Sequence, residues 1–205
     1  ICRSLSEEYL KQIKQEFQPH NIPVVLVDNS FSHDWCPRVV SDDFAGEVMA
    51  VKHLYNLGHR RIGHLTTDEP KGFTVLRKSG FEQGMKECGL ECGKDNFAYI
   101  KNLAEVTEDD HKSFQFLYNT FKPTAIVCAS DPIAMKFMQW SSRCKLQIPE
   151  DISVVGYADL DLTRYASPGL TTIKQPFDEM GVHAARKIID VITHGKNGED
   201  EYLPV

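Results

Sequence analysis

The chain has 205 residues, of which 41% are hydrophobic and 25% charged, and its mean hydropathy is −0.34. This composition excludes a disordered chain, and no apolar run reaches the ~18–20 residues that a membrane-spanning helix needs. The formal net charge of −6 excludes the surplus of clustered Lys and Arg that neutralises DNA phosphates, so we expect no DNA binding by this segment alone.

The first half of the chain alternates amphipathic helices with short apolar strands. Ser6 is a candidate N-cap for a helix that continues to Phe17. The run VVLVD, which ends at Asp28, has the β-branched character of a buried parallel strand. Gly58 and Gly89 are typical stops for the two helices that they follow. The remaining predicted elements here are strand 38–40, helix 44–57, strand 61–66 and helix 77–88.

The second half continues the same alternation. Thr107 and Asp110 match a capping box at the start of a helix. A later helix is predicted to have Asp131 as N-cap and Pro132 at its first position. The other predicted elements are strand 97–101, strand 124–129, strand 152–156 and a last helix over 176–195.

This alternation predicts a doubly wound α/β architecture with parallel sheets, because the connections are too long for hairpins. The length allows one large domain or two small lobes. In parallel sheets of this kind, ligands bind beyond the carboxyl ends of the strands. That rule nominates residues 28–29, 66–68, 130–131 and 157–159.

Five motifs follow one another in the chain: GHRRIGHL (58–65), RKSGF (77–81), PTAIVCASDPIAM (123–135), IPEDISVVGYADL (148–160) and SPGLTTIKQP (167–176). Together they resemble the lactose-repressor-like (LacI/GalR) family of bacterial transcription regulators. The resemblance covers nearly the whole chain from about residue 22 onward.

The resemblance implies the effector-binding domain of such a regulator, built like periplasmic sugar-binding proteins from two Rossmann-like lobes joined by three crossovers. The crossovers are expected near Ser41, at 171–175 and near Leu203. The N-terminal lobe is then 1–41 plus 172–198, and the C-terminal lobe is 42–171 plus 199–205. We expect the N-terminal lobe to be incomplete and the DNA-binding head to lie outside this chain.

The family pattern also nominates effector-binding residues: Asp28, Arg77, Ser130, Asp159, Gln175 and Phe177. Asp28 would accept hydrogen bonds from ligand hydroxyls, and Arg77 would act as a bidentate donor. Ser130 would either contact the ligand or satisfy nearby backbone. Gln175 and Phe177 would supply a polar contact and a cleft wall, or else pack in the core.

Ala158 departs from the family motif G-[YF]-D-[DN], in which the first acidic residue commonly contacts the effector. The chain reads GYAD over 156–159. Asp159 replaces that acid, or the ligand is not the usual neutral sugar, or the protein has lost effector binding and responds to a protein partner. An anionic effector is one hypothesis, because a neutral residue at 158 would leave the charge of Arg77 uncompensated.

Cysteine usage and the first residues favour the cytoplasm. The six cysteines include no C-x-x-C pair, so a zinc knuckle or thioredoxin-type site is not expected and we predict free thiols. A disulfide between Cys88 and Cys92 is the alternative. Residues 1–18 lack the basic start, apolar centre and small-residue cleavage site of a signal peptide.

The sequence favours a binding module over an enzyme, since it lacks a G-x-S-x-G elbow, a Walker loop, H-E-x-x-H and G-x-G-x-x-G. We expect no cofactor, no bound metal and no membrane partner. The resemblance implies a small sugar-like or anionic effector, a homodimer, and operator DNA bound through a separate N-terminal domain. Trp140 is either a dimer contact or core. A solute-binding protein of a sugar transporter is the alternative function.

Overall fold

The computed structural model describes residues 7–29, 33–68, 72–101, 107–195 and 199–205. The helices are α1 (Glu7–Phe17), α2 (Asp43–Asn56), α3 (Gly72–Glu87), α4 (Glu108–Thr120), α5 (Asp131–Arg143) and α6 (Phe177–His194). The strands are β1 (Leu26–Val27), β2 (Arg38–Ser41), β3 (Ile62–Thr67), β4 (Phe97–Ile100), β5 (Ala125–Cys128), β6 (Ser153–Ala158), β7 (Thr171–Lys174) and β8 (Glu201–Leu203).

The described residues divide into two compact units. The smaller unit contains the residues up to Asp42 and from Pro176 onward, together with Gly72 and Phe73. The larger unit contains the rest, from Asp43 to Gln175. Each unit has its own sheet, so each is described separately.

The sheet of the smaller unit has the order β1-β2-β8, and its strands are parallel. Arg38 is 5% exposed and holds this sheet together. Its Nε donates to Asp200 Oδ2 at 2.7 Å, its Nη2 to Tyr202 Oη at 2.6 Å, and its Nη1 to the carbonyl oxygen of Asn29 at 3.0 Å. Arg38 thereby links β2 to the last segment of the chain and to the turn that follows β1.

This pairing differs from the lobe assignment expected for 199–205. That segment was expected in the C-terminal lobe, but β8 pairs with β2 and belongs to the smaller unit. The physical reason is the strand pairing, in which Val39 lies opposite Glu201 and Ser41 opposite Leu203. These partners are 162 residues apart, so no local sequence pattern predicts the pairing.

The sheet of the larger unit has the order β4-β3-β5-β6-β7, with every neighbouring pair parallel. Helices α4 and α5 cover one face with an apolar cluster that includes Phe114, Phe137 and Trp140. The other face carries α2 and α3, which bury Leu54, Phe81 and Met85 together with a few polar side chains, among them His64 and Glu47. The predicted α/β class with parallel sheets is confirmed.

Helices α2 and α3 lie close together because glycines face the contact. A Cβ at Gly80 would overlap the carbonyl oxygen of Phe44, and one at Gly84 would crowd Val51. Any larger residue at Gly80 would push the two helices apart, since the atom it would meet belongs to the backbone.

Most predicted elements are present, and the differences lie mainly at their ends. Helix α3 begins at Gly72 and not at Arg77, and strand β7 was expected only as a crossover. The N-cap of α5 is Ser130, so the assignment of Asp131 as N-cap is wrong. The capping box of Thr107 and Asp110 is confirmed. The Ser6 prediction lies outside the described residues.

No helix in the described ranges is long and apolar enough to span a membrane. The cysteines of the same ranges, Cys36, Cys88, Cys92, Cys128 and Cys144, are free thiols. Burial raises the pKa of the Cys36 thiol to about 12 and raises that of Cys128 as well.

Candidate functional site

The carboxyl edge of the larger sheet gathers several of the nominated residues. Strands β5, β6 and β7 end directly before Ala129, Asp159 and Gln175. Ser130 follows as the N-cap of α5, and Arg77 reaches this edge from α3. The structure therefore brings Arg77, which the family resemblance nominated, to the same sheet edge as Ser130, which the position of the strand ends nominated.

Arg77 is 4% exposed, and its guanidinium is held by hydrogen bonds and an aromatic ring. Its Nε and Nη2 both donate to Asp43 Oδ1, at 2.9 and 2.6 Å. Its Nη1 donates to the carbonyl oxygen of Ala129 at 2.6 Å. The guanidinium carbon lies 3.6 Å from the centre of the Tyr157 ring. These contacts hold the guanidinium in one plane and one place.

The charge of Arg77 is compensated inside the unit. Burial by itself opposes the charged form, but the Asp43 and Glu47 carboxylates and the Tyr157 ring outweigh it and raise the pKa of Arg77. The premise of the anionic-effector hypothesis, an uncompensated arginine, is therefore wrong. Sequence reasoning missed Asp43 because an acidic residue in the first turn of a helix usually faces solvent and complements the helix dipole.

Tyr157 forms the wall behind the arginine. It is fully buried, and burial raises the pKa of its hydroxyl. A Cβ at Gly46 would overlap that hydroxyl, so only glycine at this position leaves room for the ring. The sequence placed residues 157–159 at the edge but assigned no role to Tyr157.

Ser130 presents a hydroxyl to the same region. Its Oγ is buried, and it has no hydrogen-bond partner among the described residues. It makes no capping bond to α5 although it occupies the N-cap position. A buried hydroxyl without a partner costs stability, so this Oγ can accept or donate a further hydrogen bond.

The Asp131 side chain, at the start of α5, connects the end of β6 to β7. Its carboxylate accepts from Leu160 N at 2.8 Å and from Thr172 Oγ1 at 2.6 Å. Burial raises the pKa of Asp131, and these two hydrogen bonds oppose the shift. Gly156 makes the arrangement possible, because a Cβ there would overlap the carboxylate.

The Ala158–Asp159 turn has an uncommon backbone. Ala158 has a φ of 118° and Asp159 a φ of 55°, values that favour glycine over residues with a Cβ. The Asp159 amide donates to Thr172 Oγ1 at 3.4 Å, while its side chain is exposed. Strained turns often occur at ligand sites, but the role of Asp159 as a ligand contact stays a prediction.

The other nominated residues are placed as follows. Gln175 is 3% exposed. Its backbone N–H donates to the carbonyl oxygen of Ala158 at 3.4 Å, which extends the pairing of β7 with β6 by one residue. Asp28 and Phe177 belong to the smaller unit, at the end of β1 and the start of α6. Asp28 has a φ of 55°. The ligand roles of Asp28, Gln175 and Phe177 stay predictions.

Metal binding receives no support from the described residues, in which no three His, Cys, Asp or Glu side chains are grouped to hold an ion.

The fold and this edge together define a ligand-binding domain of the periplasmic-binding-protein type. Residues 51–205 match the model of the periplasmic binding protein-like domain, and the chain belongs to that family. Its resemblance to LacI/GalR regulators is confirmed by the relatives below.

The chain is 32% identical over 175 residues to the HTH-type transcriptional repressor CytR of Escherichia coli (strain K12), covering 84% of this chain and 50% of that protein. It is 30% identical over 206 residues to the repressor PurR of Salmonella paratyphi B, covering 100% of this chain and 59% of PurR. The chain thus spans between half and three fifths of these relatives.

Among solved structures, a LacI family transcriptional regulator from Enterococcus faecium with bound ribose superposes with a TM-score of 0.81 at 25% identity. That alignment covers 95% of this chain and 71% of the regulator.

Proposed function

We propose that this chain is the effector-binding part of a LacI-type transcription regulator. The observation that carries the proposal is that Arg77 donates to the carbonyl oxygen of Ala129, and the next residue, Ser130, has a hydroxyl unpartnered among the described residues, at the carboxyl edge of a parallel sheet. Such edges are the usual ligand sites of this fold class. Asp159 and Gln175 would add contacts from the same unit.

The effector would act by population shift. A ligand that binds one conformation better than another moves the equilibrium toward the first, and its differential affinity limits the size of the response. A swing from 1:99 to 99:1 needs about 5.5 kcal/mol of differential affinity. Operator DNA and a second copy of the protein are the proposed partners, and the cytoplasm is the proposed location.

The proposal is tested by thermal shift of the intact protein against neutral sugars, sugar phosphates, pentoses and nucleobases. A ligand at 100 times its Kd adds about 2.7 kcal/mol to the free energy of unfolding, which is readily measured as a rise in Tm. If no compound in these classes raises the Tm, the proposal of a small-molecule effector is rejected.

Ser130→Ala locates the site once a ligand is found. Because the hydroxyl has no partner in the described residues, its removal should leave the Tm of the unliganded protein nearly unchanged. Loss of one hydrogen bond to the ligand should weaken binding about 3- to 10-fold. Ser141→Ala is the matched control, since Ser141 Oγ is also buried and unpartnered but lies near the end of α5. If the two variants weaken ligand binding equally, the ligand does not contact the Ser130 hydroxyl.

The alternative function, a solute-binding protein of a sugar transporter, shares the fold. The curated relatives are named transcriptional repressors, which favours the regulator. Operator binding by the intact protein that changes with the ligand supports the regulator, and ligand binding with no effect on any DNA supports the transporter protein.

A further inference from the structure

The charge balance around Arg77 bears on what the proposed site accepts. Arg77 and Asp43 are each 4% exposed, and two nitrogens of the guanidinium share one oxygen of the carboxylate. An ion pair this deeply buried is poorly screened by water and salt. A negatively charged ligand group that approached Arg77 would therefore also be repelled by the Asp43 carboxylate.

The other charges along this edge are mainly acidic. Asp68, Asp131 and Asp159 follow the carboxyl ends of β3, β5 and β6. Of the lysines on neighbouring elements, Lys78 lies over the rings of Phe97 and Tyr99, 4.9 and 5.8 Å from their centres. Lys174 is exposed at the end of β7. Lys78 and Lys174 are partly or fully exposed, so water and salt screen their charges, whereas Arg77, a buried cation at this edge, is already paired with Asp43.

We infer that Asp43 sets the charge specificity of the proposed effector site, so that the site takes an uncharged, hydroxyl-bearing ligand and rejects phosphate esters and carboxylates. The inference rests on the proposed function for the identity of the site. Asp43 acts through Arg77 and is a positioning residue: it fixes the guanidinium against Tyr157 and removes its net charge. Hydroxyl groups accept hydrogen bonds from such a guanidinium without bringing a second negative charge beside the carboxylate.

Asp43→Asn separates the two effects of this residue. The amide oxygen still accepts hydrogen bonds from Arg77, so the position of the guanidinium is kept, while the compensating charge is lost. The variant should therefore gain an anion site that the natural protein lacks. Asp109→Asn is the matched control, because it makes the same change in net charge at a carboxylate that is 59% exposed.

The experiment is calorimetric titration of inorganic phosphate into the intact protein. We expect phosphate to bind Asp43→Asn at least 10-fold more tightly than the natural protein or Asp109→Asn, and Asp43→Asn/Arg77→Gln to lose that gain. Phosphate binding to the natural protein that matches Asp43→Asn and disappears in Arg77→Gln overturns the inference. Absence of phosphate binding to Asp43→Asn also overturns it, because Asp43 is then not what excludes anions.

A second measurement serves if Asp43→Asn does not fold. Ribose and ribose 5-phosphate are titrated into the natural protein, alongside phosphate alone. Tighter binding of the phosphate ester than of ribose, or phosphate binding that Arg77→Gln abolishes, contradicts the inference, and rejection of both anions supports it. Failure of the whole ligand panel rejects the proposed function separately, since the phosphate titrations do not depend on the natural effector.

Discussion

Asp110 is a single carboxylate that holds a helix end and a buried lysine together. Thr107 N donates to Asp110 Oδ2 at 2.9 Å, and Asp110 N donates to Thr107 Oγ1 at 3.1 Å. Lys136 Nζ on α5 lies 3.3 Å from the same Oδ2. Asp110 is 1% exposed and Lys136 6%, so the two charges stabilise each other away from water.

We predict that Asp110→Asn lowers the free energy of unfolding by about 2–4 kcal/mol at pH 7, from the weakened cap and the loss of the buried ion pair with Lys136. Burial tends to raise the pKa of Asp110, but the bonds from Thr107 and Lys136 lower it further than burial raises it. A lowered folded-state pKa gives stability that is present above the ordinary carboxyl pKa and is lost as pH falls through the folded value. Urea unfolding at pH 7 and near pH 3 measures the difference.

The deficit of Asp110→Asn relative to the natural protein should therefore shrink in acid. Asp109→Asn is the control, because Asp109 is exposed and should change stability by less than about 1 kcal/mol. A deficit that is the same at both pH values would show that the Asp110 charge does not contribute.

At the scale of elements, α2 and β3 meet through a buried acid and a buried histidine. Glu47 and His64 are both 0% exposed, with 3.5 Å between His64 Nε2 and Glu47 Oε1. Neither carboxylate oxygen of Glu47 and neither ring nitrogen of His64 has a hydrogen-bond partner in the described ranges. Phe81 and Phe97 flank the imidazole, with ring centres 4.8 and 5.7 Å away. This polar contact lies within otherwise apolar packing.

We predict that His64→Phe lowers the free energy of unfolding by about 2–4 kcal/mol, because it replaces the polar neighbour of the buried Glu47 carboxyl by an apolar ring. Glu47→Met/His64→Phe should recover most of that loss, since an apolar pair of similar volume needs no partner. Chemical denaturation of both variants tests this. A double variant as unstable as His64→Phe would mean that the pair contributes through its shape and not through its polarity.

At the scale of the whole chain, the net charge bears on whether these 205 residues bind DNA by themselves. The formal net charge is −6, and DNA affinity depends on neutralising phosphates with Lys and Arg. The basic residues that the described part buries, such as Arg38 and Arg77, are already paired with Asp200 and Asp43.

We predict that the 205-residue chain does not bind duplex DNA with a Kd below about 100 μM at 0.1 M salt, weaker than ordinary non-specific binding by DNA-binding domains. Fluorescence anisotropy with a labelled duplex measures this, and the intact protein is the comparison. Micromolar affinity that falls with added salt would place a DNA-binding surface within these residues.

The sequence by itself determined the alternation of helices and strands, the parallel α/β class and the family, because hydrophobic period, capping residues and short motifs are local. It also placed Ser130 at the carboxyl edge of a sheet, since parallel strands share their carboxyl ends, whereas Arg77 was nominated by the family resemblance. Local pattern failed where the deciding partner is far along the chain. The pairing of β8 with β2 and the ion pair between Arg77 and Asp43, 34 residues apart, depend on packing. Only the tertiary structure decided that the positive charge of Arg77 is compensated by Asp43, because the fold determines which charged groups lie beside one another.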